Sequence, residues 1–182
     1  MFKKLIINLV LGTLVLLTLM PFQRAFAEID HVEMRVDGMT CPFCVYGIEK
    51  KLKAVDGIKD ARANLKTGIV EIEVKNGKAV DIDRLNEAVK ESGFTPGEIK
   101  ITATGSLIEY DGYPALKVAG SDQVFLLVGK HEHAKEEFLS KEKIDEIQAA
   151  TGNGAKEITI TGYVHTHRDF PLALSVDSFK IK

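Results

Sequence analysis

From His31 onward the chain alternates. Val32, Met34 and Val36 are apolar and Glu33, Arg35 and Asp37 are charged, the period of two expected of a strand with one buried face. At Pro42 the period lengthens. Val45, Ile48, Leu52 and Val55 recur at steps of three and four, one face of a helix whose first turn suits a proline and which stops at Asp56-Gly57. Ala61, Ala63 and Leu65, then Val70, Ile72 and Val74, alternate with polar residues on either side of the turn Lys66-Thr67-Gly68, which predicts two paired strands. Asp81 is placed to cap a second helix through Ile82, Leu85, Ala88 and Val89, with Gly93 as its left-handed end. Ile99, Ile101 and Ala103 predict a fourth strand. The order β-α-β-β-α-β is the split, ferredoxin-like arrangement.

A second series follows. Leu107 to Tyr110 runs into Asp111-Gly112, a strong two-residue hairpin signal, and Ala115 to Val118 returns. The apolar run from Gln123 to Gly129 predicts a buried strand, and residues 132–149 predict a charged amphipathic helix through Phe138, Leu139, Ile144 and Ile147, ended by the sequence TGNG. Ile158, Ile160, Gly162 and Val164 form another alternating run; after the turn HTHRD come Leu172, Leu174 and Val176. Three strands, a helix and two strands is the order of an OB-like β-barrel. The expected class is therefore α+β: a ferredoxin-like domain over residues 28–103 and an OB-like barrel over 104–182. No proline or charge run separates them between residues 99 and 109, so the join is expected to be stiff.

Residues 1–27 belong to neither. Lys3 and Lys4 precede an apolar run from Leu5 to Met20, and Ala25-Phe26-Ala27 places small residues where a signal peptidase reads; this predicts a signal peptide. The run of 16 residues is short against the roughly 20 that cross a bilayer. A membrane is thus a partner only if the segment stays uncleaved, and the expected location is periplasmic or otherwise exported. Of 24 basic side chains three fall in residues 1–27, which leaves 21 against 26 acidic ones. That balance argues against nucleic acid as a partner, as do the 9 basic and 12 acidic side chains of residues 104–182.

Cys41 and Cys44, in GMTCPFC, are the two cysteines of the whole chain. In an oxidising compartment so few are not a disulfide framework, which leaves metal binding or thiol redox chemistry. Cys41 ends the loop after the first strand and Cys44 falls in the first helical turn, where the helix dipole and unpaired N–H groups favour thiolates. Two thiolates without a third ligand suit Cu(I) or Hg(II), whereas Zn(II) usually wants four ligands in a closed site. A second set, His131, His133, His165 and His167, flanks the barrel's third and fourth strands; in an OB topology both loops reach one end of the barrel, where imidazoles would take borderline ions.

GMTCPFC before an amphipathic helix, with Ser92-Gly93-Phe94 about fifty residues later, resembles the heavy-metal-associated domain of periplasmic mercuric-ion binding proteins, copper chaperones and metal-pumping P-type ATPases. The resemblance covers about residues 30–102. It implies that Cys41 and Cys44 are the metal ligands, that Met39 is a buried residue shaping the loop, and that Phe94 shields the thiolates from a facing loop. The chain departs from the family at Pro42 and Phe43, where small residues are usual; their bulk bears on how a partner's thiols approach. The expectation is a non-enzymatic periplasmic protein that passes a soft metal ion to a metal transporter or another periplasmic thiol protein. The alternative is a thiol-disulfide oxidoreductase using the same cysteine pair.

Overall fold

The computed structural model describes residues 28–129, 139–152, 156–166 and 171–181. Residues 1–27 lie outside them. Strand β1 (Glu28–Asp37) leads to helix α1 (Pro42–Lys53), strands β2 (Ile58–Asn64) and β3 (Ile69–Val74), helix α2 (Ile82–Glu91) and strand β4 (Thr95–Tyr110). These strands lie in the order β2-β3-β1-β4, each pair antiparallel. Val32 stands opposite both Ile72 and Ile101, and all three are buried with Met34, Val70 and Ile99 and with Ile48, Leu52, Leu85 and Val89 of the two helices. The ferredoxin-like β-α-β-β-α-β arrangement read from periodicity is the observed one.

Strand β4 was expected to span residues 99–103 and then hand over to a second strand. It is instead one strand of 16 residues. One edge pairs with β1 over Thr95 to Thr104 and then, from Gly105, with β5 (Tyr113–Val118). The other edge pairs with β7 (Ile158–His165) from Ile99 to Gly105. Strand β6 (Val124–Val128) joins β5, β8 (Ala173–Ile181) joins β6 in parallel, and β7 joins β8. The five strands β4-β5-β6-β8-β7 thus close on β4. Backbone groups that would form an open edge are paired on both sides, and Ile99, Ile101 and Ala103 sit beside Val164, Gly162 and Ile160 in one continuous core.

Closure demands close backbone approach. At Gly105, where β4 changes neighbours, a Cβ would stand 2.0 Å from the Lys117 carbonyl oxygen; at Gly162, beside a register irregularity with β8, it would stand 2.2 Å from that of Ser175. Polar contacts reinforce the seam. Thr102 and Thr161 hydroxyls lie 3.0 Å apart, and buried Thr104 reaches Thr159 at 2.7 Å. The Gln123 side chain donates to the Val80 carbonyl at 2.9 Å and accepts from its N–H at 3.3 Å, so an amide ahead of β6 clamps the segment that leads into α2.

Two local readings need correction. Of the helix expected over 132–149, residues 132–138 lie outside the described residues; the described helix is α3, Lys141–Thr151. It starts at Lys141 because Ser140 caps it, accepting the Lys143 N–H at 3.3 Å, while Leu139 is buried ahead of the cap. It ends at left-handed Gly152 as the glycine signal required. Leu65 was expected within the strand but lies just past its end and is 38% exposed, since Asn64 ends β2 by accepting the N–H groups of Lys66 and Thr67.

Replacing Gly105 by alanine is expected to lower unfolding free energy by about 1–3 kcal/mol, because the added methyl meets backbone that cannot rotate away. Urea unfolding of the variant checks it: an unchanged midpoint would show that β4 and β5 separate at that point without cost.

Candidate metal centre

Cys41 is the N-cap of α1, with extended backbone angles, and its Sγ accepts the Cys44 N–H at 3.2 Å. A sulfur thus occupies the position that a serine or aspartate oxygen usually fills. Pro42 takes the first helical position and needs no N–H partner. No acidic residue lies in this first turn, so no carboxylate competes with the cysteines for the positive end of the helix. Lys50, Lys51 and Lys53 occupy the last turn, about 9 Å or more along the axis from Cys44 at about 1.5 Å per residue. There Lys51 meets Glu91 at 3.4 Å and Lys53 meets Asp60 at 2.9 Å.

In the structure Cys41 and Cys44 are joined as a disulfide, their Cα atoms 5.2 Å apart. Both side chains are half-exposed. After two-electron reduction the pair can hold an ion: two metal–sulfur bonds of about 2.3 Å bring the sulfurs to at most about 4.6 Å, within reach of side chains this close. Met39 is buried under the loop, the role its resemblance implied. Gly38 takes a positive φ of 96°, and the Phe94 ring lies 3.6 Å from where its Cβ would be. Phe94 therefore packs against the loop from the far end of α2, half-buried on the core.

Phe43 is 88% exposed and Tyr46 67% exposed. Neither belongs to the apolar face of Val45, Ile48, Leu52 and Val55 read from the sequence, which singled out Phe43 only for its bulk between the cysteines. The histidine set is less complete. His131, His133 and His167 lie outside the described residues; His165 ends β7 opposite Ala173. Among the described residues no group of three or more histidine, cysteine or carboxylate side chains is placed to share an ion, and no helix is long and apolar enough to cross a membrane.

A profile of the heavy-metal-associated domain matches residues 33–95. The copper chaperone CopZ of Staphylococcus aureus (strain bovine RF122 / ET3-1) is 30% identical over 61 residues, which is 34% of this chain and 88% of that protein. The chain belongs to the heavy-metal-associated domain family. Copper-transporting ATPase 2 of Rhizobium meliloti (strain 1021) is 42% identical over 62 residues, but these are 7% of its length. A solved CopZ metallochaperone is 25% identical and aligns over 37% of this chain and 100% of its own, with a TM-score of 0.35. The family match ends at the first residue of β4, ahead of the barrel.

Two outcomes follow from the cap and from the Lys53–Asp60 pair. Under reducing conditions Cys41→Ser keeps a capping atom and is expected to unfold within about 0.5 kcal/mol of the parent, while Cys41→Ala loses about 1 kcal/mol; thermal melts of both separate capping from sulfur chemistry. The hydrogen bond from Lys53, aided by the N–H of Ala61 and the charge of Arg62, holds the Asp60 carboxyl below its ordinary range. Its contribution is complete above the ordinary aspartate pKa and disappears as the pH falls through the lowered value. The Tm gap between parent and Asp60→Asn should therefore be open at neutral pH and narrow as the pH falls below the ordinary aspartate value of about 3.9.

Proposed function

We propose that the protein is a non-enzymatic carrier that holds one soft metal ion between Cys41 and Cys44 and passes it to a metal transporter or another exported thiol protein. The observation that carries this reading is the meeting of both sulfurs at the N-terminus of α1, inside the stretch that matches the family. Thiolates at a positive helix end prefer soft ions. Relatives named as copper chaperones and copper-transporting ATPases favour Cu(I) over Hg(II) as the cargo. The leader-like segment over residues 1–27 supports an exported, periplasmic location.

The reading extends to two units, residues 28–103 and 104–182, that share strand β4. An OB-like assignment of the second is supported by its closed strand order, its parallel β6–β8 pair and the placement of α3 between β6 and β7. Its excess of acidic side chains fits a protein-facing or scaffolding role.

A second reading rests on the same pair: two cysteines placed to form a disulfide could exchange with other disulfides. One series of measurements separates the two. Protein reduced and handled anaerobically is titrated with Cu(I) against a colorimetric chelator, with Hg(II) and Zn(II) as competitors. One tightly held Cu(I) per chain is expected, lost in the Cys41→Ser/Cys44→Ser variant; undiminished affinity in that variant would end the carrier reading. Insulin reduction well above the rate of free dithiothreitol would favour the exchange enzyme.

A further inference from the structure

We propose that Phe43 and Tyr46 are the docking anchor for the protein that takes the ion from Cys41 and Cys44, an acceptor presenting its own pair of thiolates beside an apolar pocket. This rests on the carrier reading above. Three residues apart, the two side chains are neighbours on the outer face of α1, whereas Ile48 and Leu52 of the same helix are fully buried. The fold does not use them. Phe43 leaves 88% of its surface in water and Tyr46 67%, so neither ring adds to the core, and paired exposed aromatics are the residues that anchor protein contacts.

The occupant follows from the chemistry of exchange. For each bond the ion makes to an acceptor thiolate, one bond to Cys41 or Cys44 breaks. The ion keeps its oxidation state, and the proton lost by the acceptor thiol ends on the released cysteine. An incoming sulfur must approach within about 2.3 Å of the ion. A protein delivering that sulfur therefore covers the first turn of α1, where Phe43 lies between the two ligands in sequence, one residue before Cys44. Phe43 is 88% exposed and both cysteines are half-exposed, so the bulk between the cysteines adds contact surface at the site. Lys50, exposed one turn beyond Tyr46 on the same face, extends the patch to a cation that a carboxylate on the acceptor's rim complements.

The test compares two acceptors. Reduced protein loaded with Cu(I) is mixed with bathocuproine disulfonate, a small chelator that needs no docking, and separately with the isolated heavy-metal-associated domain of a copper-transporting ATPase. For Phe43→Ala and Tyr46→Ala the second-order rate of transfer to the domain is expected to fall about tenfold or more. Affinity for Cu(I) and the rate to the chelator should stay within about twofold. Transfer to the domain at the parent rate overturns the proposal, as does an equal slowing with both acceptors, which would mean that the rings only shape the loop. A parent protein that yields Cu(I) to the chelator and never to the domain overturns docking while leaving the carrier reading intact; failure to bind Cu(I) at all overturns both.

Discussion

Both edges of β4 are hydrogen-bonded over its middle, and the rest of the molecule is arranged around that fact. A ferredoxin-like sheet in the order β2-β3-β1-β4 leaves its last strand with a row of unpaired N–H and C=O groups, and a barrel needs a first strand to close upon. One strand of 16 residues meets both demands. Its outer edge is covered by β7 from Ile99 to Gly105, so the metal-binding unit has no open edge on that side. Because the same residues lie in both structures, Ile101 and Ala103 join the apolar layer under α1 and α2 to the barrel interior. The two halves consequently share a core as well as a strand.

The cysteine pair depends on much more local physics. A capping sulfur, a proline at the first helical position and the absence of a first-turn carboxylate are all set within four residues, and together they favour charge on sulfur. Longer-range structure enters through the two residues that frame the loop. Met39 is buried beneath it, and Phe94 reaches Gly38 from the end of α2. Helix α2 is in turn held near its start by the Gln123 clamp on Val80. The barrel therefore holds the start of the helix that leads to Phe94, a connection by which a remote unit steadies the residue packed against Gly38 in the loop before the cysteines.

The placing of the cysteine pair at a strand-to-helix junction was legible in the sequence, since its determinants are contiguous: a strand period, a CxxC spacing and a helix period meet within residues 32–55. Where the reading failed, a competing local interaction explains it. Ser140 caps α3 within the span that amphipathic spacing alone read as helix, and Asn64 ended β2 before Leu65. The exposure of Phe43 and Tyr46 could not be weighed before their surroundings were known.

By itself the sequence determined the alternation and helical periods, the turn residues Asp111-Gly112 and Gly93, and the chemistry available at Cys41 and Cys44. Those depend on neighbours along the chain. Only the tertiary structure decided that the strands expected over 99–103 and 107–110 are one, that Gly105 and Gly162 are glycines because another backbone passes within about 2 Å of where a Cβ would sit, and that Gln123 pairs with Val80. Each brings together residues far apart along the chain, such as Ile99 and Val164 or Val80 and Gln123. A local pattern carries no information about partners at that separation, because strand pairing is settled by whichever edges the folded backbone brings into register.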